Sequence, residues 1–175
     1  MRHFWKIILI FIILPITTTN FSFADTPYYI DFSKVLNESK AGKGAQDYLK
    51  KKFESENKKF NKEGEELKKE ETEIISQKKL ITNEEYQKKV EALRKKVASL
   101  QKRKQDLIKD VATLRAKART ELLKTLNPII KKYMEDNKIR IVLDRKSILL
   151  GDINLDITPK IIELLNKELK SIKLN

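Results

Sequence analysis

Residues 43–127 contain no proline and, after Gly44, a single glycine, Gly64; the rest is mostly Lys, Glu, Leu, Gln and Ala. These residue types lose little side-chain freedom in a helix, and a stretch this long without a breaker excludes any fold built from short elements. Phe53, Phe60, Leu67 and Ile74 recur every seven residues and form one slowly drifting apolar stripe. From Tyr86 the pattern tightens. Tyr86, Val90, Leu93, Val97, Leu100, Lys104, Leu107, Val111, Leu114 and Ala118 step alternately by four and three, a heptad seam with one lysine set into it.

Thr82-Asn83-Glu84-Glu85 has the form of a capping box, so one helix ends near Lys79 and a second begins at Asn83. A linker this short returns the chain on itself, which predicts an antiparallel helical hairpin with its tip near residues 80–83. The first helix, from about Ala45 to Lys79, would reach on the order of 50 Å. Gly64 in its middle marks either a bend or a tolerated exposed site.

A two-helix ribbon needs a fixed base, and both chain ends supply candidates for it. In residues 25–42, Tyr28, Ile30 and Phe32 alternate with Tyr29 and Asp31, the pattern of a strand with one buried face. In residues 128–175, Pro128 is expected to open a new short helix carrying Ile129, Ile130, Tyr133 and Met134 and ending near Asn137. Ile139 to Leu143 reads as a strand, Asp144-Arg145-Lys146 as a turn, and Ser147 to Leu150 as a returning strand closed by Gly151-Asp152. Thr158 then caps a last helix with Pro159 in its first turn and Ile162, Leu165 and Leu169 on one face. The expected fold class is α+β: a long coiled-coil hairpin, the arm, on a small β-rich body of about 65 residues made by both chain ends. A body of that size is near the lower limit for an independent core, and its open strand edges favour completion by association. Tyr28, Ile30, Phe32, Ile141, Leu143 and Leu149 are the candidates for its core or for an oligomer contact.

Residues 1–24 read as a secretory signal peptide. Arg2 and Lys6 flank a positive start, residues 7–16 are apolar except for Pro15, and Ser22-Phe23-Ala24 places small residues where a signal peptidase cuts, after Ala24. The expected compartment is the periplasm. The only His is His3 and the only Trp is Trp5, and the chain has no Cys. The mature chain would therefore lack disulfides, thiolate or imidazole metal sites and His-based catalytic triads. Carboxylates on an exposed hairpin lack the pocket that raises one pKa for acid catalysis, so neither an enzyme, a cofactor nor a metal is expected.

The chain carries 38 Lys+Arg against 25 Asp+Glu, a net charge of +13. Most of the excess belongs to the arm, where residues 43–127 hold 24 basic and 15 acidic residues. Residues 94–124 hold 11 basic against 3 acidic, whereas the stretch from Glu63 to Glu73 has six Glu against Lys68 and Lys69. The acidic band reads as a solvated face supported by Lys/Glu pairs of ~0.2 to 0.5 kcal/mol each. The basic stretch repels itself, and its functional reading is attraction of an anionic partner. By density, Lys95, Lys96, Lys102, Arg103, Lys109, Arg115, Lys117 and Arg119 are the candidate binding charges.

Residues 30–43, Ile30-Asp31-Phe32-Ser33-Lys34-Val35-Leu36-Asn37-Glu38-Ser39-Lys40-Ala41-Gly42-Lys43, together with Ile141-Val142-Leu143-Asp144-Arg145 and Leu155-Asp156-Ile157-Thr158, resemble the two ends of the OmpH/Skp family of periplasmic chaperones. The resemblance implies a homotrimer whose helical arms enclose a cavity. It also implies ATP-independent holding of unfolded outer-membrane proteins, and contact with anionic lipid or lipopolysaccharide. The rival reading is a coiled-coil spacer or tether of the envelope that binds a folded partner. A basic chain would also attract phosphate, but the signal peptide and the few aromatics of the arm argue against a nucleic-acid role in the cell.

Overall fold

The computed structural model describes residues 26–174. The signal-peptide reading falls outside these residues. Two long helices dominate: α2, Lys40–Gln77, and α3, Asn83–Asp136. They are preceded by a strand β1, Tyr28–Ile30, and a short helix α1, Phe32–Glu38. They are followed by a strand β2, Val142–Asp144, two 3-10 turns, Arg145–Ser147 and Ile153–Leu155, and a helix α4, Thr158–Glu168.

The tip of the arm follows the sequence closely. Thr82 Oγ1 accepts from the Glu85 amide at 3.2 Å, and the Glu85 carboxylate accepts from the Thr82 amide at 3.1 Å. This capping box satisfies two of the donors that a helix start leaves unpaired. Lys89 meets Gln77, Lys96 meets Glu70 and Arg103 meets Glu63, so contacts that advance along α3 retreat along α2. Between the helices Phe60, Leu67 and Ile74 bury against Leu93, Leu100 and Leu107 in one seam. α2 runs unbroken past Gly64, which lies against Leu100, whose Cδ2 is 4.0 Å from where a Cβ would stand.

The body departs from expectation in four places. Phe32 is not the end of a strand but the first residue of α1, because Asp31 turns the chain into a helix, its carboxylate accepting from the Lys34 amide at 2.8 Å. Pro128 opens no new helix; α3 runs through it to Asp136. The lost amide and the ring's clash with the preceding turn cost about 3 kcal/mol. The continuous apolar face of Leu122, Leu126, Ile129, Ile130, Tyr133 and Met134, packed on the body core, outweighs that. Ser147 to Leu150 is not a strand: its first residue belongs to a 3-10 turn, and Leu149 and Leu150 stand 96% and 90% exposed. The body is therefore not β-rich. Its one sheet has two strands of three residues, paired in parallel with Tyr28 opposite Val142 and Ile30 opposite Asp144. Finally, Thr158 is the first residue of α4 rather than its cap; the Asp156 carboxylate accepts from the Thr158 amide at 2.9 Å.

α3 ends in a Schellman arrangement: the Ile139 amide donates to the Met134 carbonyl and the Lys138 amide to that of Glu135. Lys138 takes φ 55, a left-handed conformation usually left to glycine. Ile139 is buried beside Met134, which secures the turn.

Polar contacts tie the two chain ends together. The Thr158 hydroxyl accepts from the Asp31 amide at 2.9 Å, and the Asn166 side chain accepts from the Lys40 amide at 2.7 Å, supplying α2 with a partner from α4. Buried Ser39 ends α1 and caps α2, its hydroxyl accepting from the Gly42 amide at 3.2 Å. Gly42 is fixed by this elbow: a Cβ there would stand 1.8 Å from the Leu36 carbonyl oxygen. Around these contacts Ile30, Val35, Leu126, Ile161 and Leu165 are fully buried.

Candidate functional site: the basic arm

The eight basic residues singled out in the sequence divide by what they touch. Lys96 and Arg103 are clamps across the hairpin. Lys96 Nζ donates to Glu70 at 2.6 Å, and Arg103 donates to Glu63 while its guanidinium sits 5.6 Å from the centre of the Phe60 ring. The Glu63 hydrogen bond raises the Arg103 pKa above its ordinary value. Lys95 is held on its own helix by Glu91 at 2.8 Å, and that bond raises the Lys95 pKa while lowering that of Glu91. Lys102, Lys109, Arg115, Lys117 and Arg119 form no ion pair among the described residues and are exposed.

Their positions follow from helix geometry. Lys95, Lys102 and Lys109 each stand two residues after a seam leucine, Leu93, Leu100 and Leu107, and so about 200° around the helix from α2. They form a basic stripe on the outer side of α3. Arg115 and Arg119 lie one turn apart nearer the body and border a groove of about 770 Å³ between the bases of α2 and α3. Lys104, the lysine of the seam, is half-buried.

The acidic band also divides. Glu65 pairs with Lys68 at 3.0 Å and Glu66 with Lys62 at 4.0 Å along α2, as the solvated-face reading expects. Glu63 and Glu70 instead reach across to α3. Sequence inspection did not select these two, although their seven-residue spacing matches that of Lys96 and Arg103 and was the available signal.

The six body candidates separate in the same way. Ile30 is fully buried, and Tyr28 and Phe32 pack against the body core. Ile141, Leu143 and Leu149 are not part of the chain's own core: they are 49%, 38% and 96% exposed. Leu150 and Ile153 are exposed as well.

The arm thus combines a buried seam, two clamps across the hairpin and five exposed cations without an ion pair among the described residues. Among the described residues no group of carboxylates or histidines could hold a metal ion, and no helix is long and apolar enough to cross a membrane.

The chain matches the family of outer membrane proteins described as OmpH-like over residues 28–165. It belongs to the OmpH-like family. The fold is also that of an OmpH-like protein of Caulobacter crescentus proposed as an outer membrane chaperone. The TM-score is 0.79 at 22% identity, over 85% of this chain and 89% of that one. No curated protein matches the chain. The matched family region contains both the hairpin and the body strands, and stops short of the tail that follows α4.

Proposed function

We propose that this OmpH-like protein is an ATP-independent holdase of the periplasm, which binds unfolded outer-membrane proteins among its arms and keeps them from aggregating before insertion. The observation that carries this reading is the set of five arm cations left unpaired while neighbouring charges are spent on clamps. Unpaired cations on a rod attract an anionic chain over about a Debye length, ~8 Å at physiological salt, and hold it by many weak contacts. A barrel precursor exposes alternating apolar strands whose edges pair with one another, so sequestering it lowers the rate of that pairing.

Association into a homotrimer belongs to the same proposal. Ile141, Leu143, Leu149, Leu150 and Ile153, in and around β2, are exposed apolar residues that a second copy would cover. Contact of the arms with anionic lipid or lipopolysaccharide would draw on the same unpaired cations. Size-exclusion chromatography with light scattering, with and without a urea-denatured outer-membrane barrel, tests both parts. The expected result is a trimer that takes up one client in a soluble complex. A monomer, or a trimer that elutes unchanged while the client aggregates, contradicts the proposal. Saturable binding of one native envelope protein with no protection of unfolded clients would favour a tether instead.

A further inference from the structure

The seam of the arm has a layer that does not close. Phe60, Leu67 and Ile74 are 7%, 8% and 6% exposed, whereas Phe53, one heptad nearer the body, is 39% exposed. The register set by the Glu63–Arg103 and Glu70–Lys96 clamps, continued one heptad toward the body, would place Phe53 opposite Leu114. Leu114 is partly buried against the cluster of Ala45, Leu49, Ala118 and Leu174 at the base of the hairpin. The C-terminal tail packs into that same cluster through Leu174, while Phe53 beside it stays 39% exposed.

Phe53 lines the groove of about 770 Å³ at the base of the two helices. Leu49, Phe53 and Val111 supply apolar surface, and Arg115 and Arg119 stand at the rim on α3. Neither arginine has an ion pair among the described residues. Of the other charges bordering the groove, Lys50 meets Glu54 at 3.9 Å and Asp47 is the acid. An aromatic floor beside two free guanidiniums is complementary to an apolar side chain flanked by carboxylates. A guanidinium fork holds a carboxylate by two parallel hydrogen bonds, which a lysine does not.

We propose that this groove is a discrete docking site for an extended segment of an unfolded polypeptide. One apolar or aromatic side chain of the segment enters against Phe53, and an acidic residue near it in sequence reaches Arg115 or Arg119. Residues of an extended chain alternate between faces, so a carboxylate one position away lies over the rim while the aromatic side chain points into the groove. The assignment rests on the chaperone reading and deepens it: beside a diffuse basic surface, the arm carries an anchor with a sequence preference.

The test uses the full chain and fluorescein-labelled ten-residue peptides in which phenylalanine and aspartate alternate, with a second set carrying lysine for aspartate. Affinity is read by fluorescence anisotropy. The expected result is that Phe53→Ser and the double variant Arg115→Glu/Arg119→Glu each weaken the acidic peptide by about tenfold or more. The lysine peptide binds wild type at least about tenfold more weakly than the acidic one, and Lys79→Glu, exposed at the arm tip far from the groove, changes acidic-peptide affinity less than about threefold. Unchanged affinity in both groove variants overturns the assignment, as does equal binding of the two peptides. So does a shift in oligomeric state in both groove variants, which would make the groove a contact between copies. Dilution of a urea-denatured outer-membrane barrel is run alongside. Groove variants that bind peptide and hold the client as wild type does remove the groove and leave the chaperone reading standing. Failure of wild type to hold the client removes both.

Discussion

The body and the arm bury apolar residues in different ways. In the body Ile30, Val35, Leu126, Ile161 and Leu165 are fully enclosed, with side chains from α1, α3, α4 and the strands closing over them from every direction. In the arm the seam residues from Phe60 to Leu107 retain 4% to 8% of their surface, because two helices enclose a line but not a volume. The body is thus specified by contacts between distant parts of the chain, such as Asp31 with Thr158, and has little slack. The arm is specified by a repeat that any similar heptad would satisfy. Its outer face can accumulate charge without endangering the fold, and that freedom is what a binding surface for varied unfolded chains requires.

One substitution made in both regions should break this comparison most sharply. Gly42→Ala places a methyl group 1.8 Å from the Leu36 carbonyl oxygen and forces the elbow between α1 and α2 apart, with an expected loss of about 3 kcal/mol or more. Gly64→Ala has room, with Leu100 Cδ2 at 4.0 Å, and should gain up to about 1 kcal/mol of helix propensity. Urea denaturation of both variants reads the opposite signs. A loss of similar size in both would show the arm to be as tightly built as the body.

Cavity formation sharpens the same contrast. Leu165→Ala in the body should cost about 3 to 5 kcal/mol, and Leu100→Ala in the seam about 2 kcal/mol, since α2 and α3 can close over the gap. Equal losses in thermal or urea unfolding would contradict the distinction. A smaller effect belongs to the tip. Thr82→Ala removes the capping box and should cost about 1 kcal/mol, confined to the start of α3 and visible as faster amide exchange there but not in the body.

Acid should act on exposed pairs in both regions. Glu163 accepts from Lys160 and Lys167, and these bonds lower its pKa from 4.5 to about 2. A carboxylate held lower in the folded than in the unfolded state contributes above its unfolded pKa, and that contribution is lost as pH falls through about 2. Glu85, lowered first by its bond to the Thr82 backbone, behaves in the same direction at the arm tip. NMR titration should show both carboxylates protonating below an unpaired glutamate, with α4 and the start of α3 fraying only in strong acid. Titration at the ordinary glutamate value would mean that these pairs do not persist in solution.

The arm was legible in the sequence because helix propensity, heptad spacing and the Thr82 box all depend on near neighbours. The body was not, because its short segments are decided by contacts far apart in sequence. Ser147 to Leu150 has the composition of a strand but no partner to pair with among the described residues, and Pro128 has the mark of a helix start but stands exposed on a helix whose other face packing holds in place. The site was half legible. Density selected the basic stretch, but it could not separate Lys96 and Arg103, spent on Glu70 and Glu63, from Lys102 and Lys109, which point away from α2. Nor could periodicity show that Phe53, an equal member of the stripe, lies where the seam opens.

The central claim is that the arm's unpaired cations capture unfolded outer-membrane chains. The most direct measurement is light scattering after a urea-denatured outer-membrane barrel is diluted into buffer with wild type or with Lys102→Glu/Lys109→Glu/Lys117→Glu. Wild type should suppress scattering, added salt should weaken the suppression, and the charge-reversed variant should suppress it less at every protein concentration. Equal scattering with and without the protein, or equal protection by both forms at low and high salt, would contradict the account.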